Sequence, residues 1–342
     1  MTRTDCLKWS ALTYLVAVIL SAGLTALVIP LLKRWGIMDE PSERKVHTEP
    51  TPLMGGIAIF LAFTTACLIP CINRGDVMAI LIGGALVFAV GVADDVRRVN
   101  AVLKLLFLFA AAGIMSTFGV VLALTPWYPV NLALTMLWIA GMVSAFNAID
   151  NMNGLAGGVG FISSCFYFFV ALQTLQTQWA IAAAALAGAL AGFLPFNFPK
   201  ARIFLGDSGS YFLGYVLAAL GVLGAWSTHP VKAAIVPLLI LSVPIFDLSY
   251  VVLGRHLQGT TKSIIQAIVY CGKDHLSHRL VELGMSETRA VLLIWFIAAT
   301  VGAAAVTLRN SRPTEAVILL LIFAAVYHII TILLRVARRG HV

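Results

Sequence analysis

Long apolar runs and short polar connections alternate along this chain from end to end. Eleven runs stand out, at roughly 10–33, 53–72, 76–93, 101–119, 129–147, 156–175, 179–198, 209–227, 232–253, 289–308 and 315–335. Most are about the 20 residues a helix needs to cross a bilayer. They are read as membrane-spanning helices. No long linker and no separate soluble stretch interrupts the pattern. Residues 1–342 are therefore expected to form a single integral-membrane domain, an all-α polytopic transmembrane helical bundle. The first run extends to about Leu32, too long for a signal-peptide core, and is expected to stay as a span.

Composition supports lipid as the solvent. Hydrophobic residues make up 60% of the 342 and charged residues 11%, whereas a soluble domain is about a quarter charged. The net charge of +8 could suggest nucleic acid, but Lys and Arg are spread over the connections and form no single patch. No nucleic-acid partner is expected. In alternate connections, seventeen Lys and Arg fall on one side and six on the other. The richer side is cytoplasmic by the positive-inside rule. Eleven spans then put the N-terminus outside and the C-terminus inside, in the inner (plasma) membrane. Cys6 and residue 310 should be reachable from outside, and residue 275 from inside only. Twelve of the fifteen acidic residues also lie on the inner side, although that rule does not constrain them. Candidate chemistry thus belongs to the cytoplasmic face. Five scattered cysteines without a CxxC pair argue against a disulfide framework or a zinc site.

The inner connections carry the informative residues. The first contains Arg44, Lys45 and His47 and ends in Gly55-Gly56 at the start of the second run. Glycine permits close backbone approach, and a helix N-terminus offers free N–H groups to an anion; the plainer reading is a solvated basic loop. Asp94 and Asp95 close the third run at a helix C-terminus, where two acids are unfavourable. Arg97 and Arg98 could offset them, as could a divalent cation with a phosphate-bearing substrate. Asn147 and Asp150 end the fifth run, one turn apart if the helix continues, with Asn153 beyond. They are hard oxygen donors of the kind Mg²⁺ takes; an Asx-capped turn is the structural alternative. Asp207, in Gly206-Asp207-Ser208-Gly209, opens the eighth run and reads equally as a cap or a ligand. Asp247 lies in an apolar setting, with Arg255 two turns on as its expected partner. His275, His278 and Arg279 can bind an oxyanion. Carboxylates for Mg²⁺, cations for phosphate and glycine-rich backbone on one face suit phosphoryl transfer.

These motifs, in this order from about Asp39 to Arg279, resemble the polyprenyl-phosphate N-acetylhexosamine-1-phosphate transferases of the glycosyltransferase family 4 type. The resemblance favours the GlcNAc-1-phosphate branch over the phospho-MurNAc-pentapeptide branch, because the loop reads His275-x-x-His278-Arg279-Leu280. It implies transfer of a sugar 1-phosphate, by default GlcNAc 1-phosphate, from a UDP-sugar donor to undecaprenyl phosphate, with release of UMP. It implies Mg²⁺, for which Mn²⁺ could substitute, and it allows a homodimer. By resemblance Asp94, Asp95 and Asp150 are catalytic, and Asn147 and Asp207 hold the metal. Arg44, Lys45, His47, Asn153, Asn197, His275, His278 and Arg279 bind substrate. Two positions depart from the family pattern: Asn153 where Asp is common, and Ser277 where a middle histidine stands. The rival class is a transporter or flippase of polyprenyl-linked anions, which needs polar residues near the bilayer midplane.

Overall fold

The computed structural model of the chain describes residues 3–40, 49–71, 75–261, 263, 266–267, 272–308 and 312–340. Each predicted run contains a helix: α1 Arg3–Trp35, α2 Gly56–Cys71, α3 Gly75–Val96, α4 Ala101–Thr117, α5 Tyr128–Ile149, α6 Leu155–Gln173, α7 Thr177–Asn197, α8 Gly206–Leu223, the pair α9 Pro230–Ile240 and α10 Ser242–Leu257, then α12 Glu287–Thr307 and α13 Pro313–Gly340, with a short α11 Leu276–Glu282 before α12. Among the described residues seven helices are long and apolar enough to cross a membrane, or eight if α9 and α10 form one span. Fewer crossings than the eleven runs thus pass by length and composition: α2 and α4 are short, α8 opens on a polar turn and is not among the seven, and the ninth run is bent into a pair. The protein is a multi-pass membrane helical bundle. Its one small sheet among the described residues pairs Met38–Asp39 with Thr51–Pro52, closing the base of the first polar connection.

The ninth run is not one straight helix. α9 and α10 meet at Leu241 with a bend of 79°. Pro244 sits in the first turn of α10, where its missing N–H has no intrahelical partner to lose. The break lets α10 turn back and carry Asp247 and Arg255 toward the polar end.

Two helices form the centre. α7 lies between α1 and α6, and α8 between α3 and α5. α7 is rich in Ala and Gly, so backbones come close. A Cβ at Gly188 would sit 2.3 Å from the Tyr14 carbonyl oxygen, and one at Gly192 2.4 Å from that of Val18. Without water between helices, such small-residue contacts and their dispersion attraction hold the bundle. The outer surface is apolar instead: Leu15, Ile19, Leu27 and Leu137 are all exposed, as lipid requires. Cys6 is 2% exposed, so its thiol is not the reachable probe expected from sequence. Residue 310 lies outside the described residues.

Candidate active site

Three helix ends converge at one end of the bundle. The C-terminal ends of α3 and α5 bring Asp94, Asp95 and Asp150; the N-terminal turn of α8 brings Asp207. The free N–H groups of α8 explain the meeting. Asp95 accepts from the Asp207 N–H at 2.8 Å and from the Ser208 N–H at 3.0 Å. Asp150 lies beside the Gly206 N–H and the Asp95 carboxylate. Acids from two other helices therefore cap α8, where the helix dipole favours negative charge. Gly206 makes this possible. Its φ is +77°, and a Cβ there would lie 2.8 Å from Asp95 Oδ2.

Asp94 is 6% exposed and engaged on both oxygens. Oδ1 accepts from the Val99 N–H at 2.8 Å. Oδ2 accepts from the Tyr211 hydroxyl at 2.8 Å and pairs with Lys104 of α4. The offsetting cation is therefore Lys104, while Arg97 and Arg98 are exposed. Lys104 and Tyr211 were not singled out from sequence. Lys104 reads there as one more inner-face cation, and Tyr211 as the next apolar residue of a span.

α5 stops at Ile149, so Asp150 is its C-cap and Asn153 does not continue the same helical face. Asn147 Oδ1 accepts from Ser210 Oγ at 3.0 Å. Burial, reinforced by the nearby Asp95 charge, pushes the Asp150 carboxyl up to about 8, although the residue as a whole is half-buried. Asn153 donates to the Pro199 carbonyl at 3.3 Å. Asn197 is 3% exposed and spends its amide on backbone, accepting from Gly154 N–H and donating to the Ile203 carbonyl. It braces the floor of the site.

The His-Arg loop is fastened to α10 and to the acid cluster. His275 Nδ1 is 2.6 Å from Asp247 Oδ2, and the Leu276 N–H donates to Asp247 Oδ1 at 2.7 Å. Asp247 thus pairs with His275, and Arg255 pairs instead with Asp274, through Nε to Oδ2 at 2.8 Å and Nη2 to Oδ1 at 2.5 Å. The expected Asp247–Arg255 pair is replaced because the loop folds back over α10. Burial alone would raise the Asp274 carboxyl; the Arg255 pair outweighs it and holds the carboxyl below its usual range. Arg279 stacks over the Tyr250 ring at 4.8 Å. Ser277 donates to Asn151 Oδ1 at 2.7 Å, tying this loop to the residue after Asp150. Asn151 also escaped the sequence reading, although it lies inside the Asn-rich motif.

Arg44, Lys45 and His47 lie outside the described residues. The N–H groups of Gly55 and Gly56 are not free for an anion: they donate to the carbonyls of Phe204 and Leu205 at 2.8 and 3.0 Å. Close backbone approach does occur there, since a Cβ on Gly56 would meet the Gly209 nitrogen at 2.2 Å. Asp94 and Asp207 are within hydrogen-bonding reach of each other. Like charges so placed need a cation or a shared proton. Asp150 and Asp207 supply hard oxygen donors, and Mg²⁺ is commonly held by one or two carboxylates plus substrate phosphates. The residues fit such an ion without a protein cage. Among the described residues no group of three or more His, Cys, Asp or Glu forms one.

Comparison with known proteins adds to this geometry. The sequence model for glycosyl transferase family 4 matches residues 77–225, which include Asp94, Asp95, Asn147, Asp150 and Asp207. The chain is 32% identical over 310 residues to a probable undecaprenyl-phosphate N-acetylglucosaminyl 1-phosphate transferase of Bacillus subtilis, covering 86% of this chain and 85% of that protein. It is 33% identical to the decaprenyl-phosphate N-acetylglucosaminephosphotransferase of Mycobacterium tuberculosis H37Rv, covering 92% and 86%. A phospho-N-acetylmuramoyl-pentapeptide-transferase of Symbiobacterium thermophilum is 34% identical, over 80% of this chain and 90% of that protein.

Proposed function

Because this chain belongs to glycosyl transferase family 4, we propose that it transfers N-acetylglucosamine 1-phosphate from UDP-GlcNAc to undecaprenyl phosphate, releasing UMP and starting a cell-envelope polysaccharide. One observation carries the reading: four aspartates gather at the α8 N-terminus, with the His-Arg loop latched to the same end through Ser277 and Asn151. A transporter would place its polar groups near mid-bilayer. Here the acids sit at helix ends. The excess of inner Lys and Arg supports a cytoplasmic face for that end, in the inner membrane.

In this reading a phosphate oxygen of the lipid acceptor attacks the β-phosphorus of the donor. The new P–O bond forms as the bond to the α-phosphate oxygen breaks, and UMP leaves with that electron pair. Asp94 holds Lys104 and Tyr211 in place, and the partly exposed Lys104 ammonium offers positive charge to the acceptor phosphate. Asp94 thereby positions the acceptor phosphate through Lys104. Asp207 and Asn147, with Asp150 near, would hold Mg²⁺, which when bound neutralises charge on the donor diphosphate. His278 and Arg279 face the donor with hydrogen-bond donors. Catalysis of this kind is mostly positioning and charge stabilisation.

The test is direct. Purified protein is incubated with undecaprenyl phosphate, Mg²⁺ and a panel of UDP-sugars that includes UDP-GlcNAc, UDP-GalNAc and UDP-MurNAc-pentapeptide. UMP and a diphosphate-linked lipid are expected with UDP-GlcNAc. Product from the pentapeptide donor alone would move the chain to the other branch, and no UMP from any donor would overturn the reading.

A further inference from the structure

One face of α10 governs the whole His-Arg loop. Asp247, Val251 and Arg255 follow at spacings of four along the helix, and all three are buried. Asp247 grips His275 and the next N–H, Arg255 grips Asp274, and Tyr250 beside them carries the Arg279 guanidinium. A carboxylate 2% exposed is costly unless both oxygens are satisfied. Capping α11 would need only the Leu276 N–H. The second oxygen instead meets the imidazole at 2.6 Å. An ionised carboxylate can only accept, so Nδ1 must carry the proton and Nε2 becomes the ring's other polar atom. That contact sets both the tautomer and the rotation of the ring.

We infer that Asp247 is a positioning residue for the transfer reaction, acting through His275, and that α10 presents the loop as one preorganised unit. The inference rests on the function proposed above. It adds Asp247, which has no role in that scheme and whose buried carboxylate takes two hydrogen bonds from the loop.

The experiment is a double-mutant cycle on full-length protein in membranes, using Asp247→Asn, His275→Gln and the pair. Turnover is measured with UDP-GlcNAc, undecaprenyl phosphate and Mg²⁺, separating kcat from the donor KM. Each single variant is expected to lose about tenfold or more in kcat/KM, and the pair to fall no more than about twofold below the worse single. Losses that multiply in the pair would reduce Asp247 to an independent fold element. A second readout does not depend on turnover. In protein labelled with ¹⁵N-histidine, the Nδ1 proton of His275 should resonate far downfield and vanish in Asp247→Asn. Its absence from the unaltered protein overturns the inference, whereas a present dyad in a protein that turns over no UDP-sugar overturns the proposed function instead. Should Asp247→Asn fail to accumulate, Asp247→Glu replaces it; that variant keeps the charge and should retain the downfield proton, and its loss counts against the inference.

Discussion

Asp95 and Asp207 bring the same side chain to the same helix end, and the structure uses them differently. Asp95 spends both oxygens on the Asp207 and Ser208 N–H groups, whereas the Asp207 carboxyl takes no part in that capping. Asp95→Ala is therefore expected to cost about 0.5–2 kcal/mol of stability, the usual loss for a cap, read as a lower unfolding temperature in detergent. Asp207→Asn should unfold near the temperature of the unaltered protein, yet lose about two or more orders of magnitude in turnover at saturating Mg²⁺. Normal turnover in that variant would return Asp207 to a structural role. Substitutions at Asp94 and His278 test the proposed division between acceptor and donor sides. Asp94→Asn is expected to abolish turnover but leave UDP-GlcNAc binding within about fivefold, since the Lys104 it holds is the cation offered to the acceptor phosphate. His278 behaves otherwise. Burial first, then neighbouring positive charge such as that of Lys273, lowers its pKa below the usual histidine value. The ring is thus mainly neutral at pH 7. Binding an anionic diphosphate favours the protonated ring and raises its pKa, so donor affinity should rise as pH falls toward the depressed value and level off below it. Calorimetry at pH 5.5 to 8 (a range of about two and a half units, spanning the ordinary histidine value) should show this trend, flattened in His278→Gln. A trend unchanged by that substitution would place the donor elsewhere.

At the level of elements, the site depends on short polar links between helices that do not follow one another. The hydroxyl of Ser277 donates to Asn151 Oδ1 at 2.7 Å. Asn151 is itself held by its own amide to the Ala148 carbonyl at 2.8 Å. The His-Arg loop is thereby tied to the end of α5 and so to Asp150. A single neutral hydrogen bond contributes about 1 kcal/mol. Ser277→Ala should then raise the donor KM by roughly fivefold while changing kcat little, because the loop loosens without losing a group that touches the reacting atoms. A fall in kcat with an unchanged KM would mean that the latch acts on the chemical step. The bend between α9 and α10 belongs to the same account. A straight ninth helix would carry Asp247 away from the loop it holds.

For the whole molecule, orientation is read better from exposed positions than from the buried Cys6. Lys8 and Lys273 are both exposed and stand near opposite ends of the bundle. In intact cells an impermeant thiol reagent should label Lys8→Cys and spare Lys273→Cys; the opposite pattern would invert the protein. The basis for this expectation is legible in the sequence, as is much else. Apolar runs of about 20 residues must bond their backbone internally in lipid, so helical type and rough position follow from local pattern, whereas the number of crossings does not: the ninth run is bent in two and fewer helices than the eleven runs are long and apolar enough to span. Acids and amides interrupting such runs are costly, so Asp94, Asp95, Asn147, Asp150 and Asp207 stand out without any structure. Their partners do not. Asp95 caps a helix 112 residues away, and Asp94 meets Lys104 on one neighbouring helix and Tyr211 on another. Spacing along one helix suggested Arg255 for Asp247, but chain reversal gave Asp247 to His275 and Arg255 to Asp274. Sequence by itself determined the solvent, the elements and the residue types of the site. Only the tertiary structure decided who pairs with whom, because a buried charge takes the partner that packing brings to its helix end, and that packing is set by close backbone contacts such as Gly56 on Gly209.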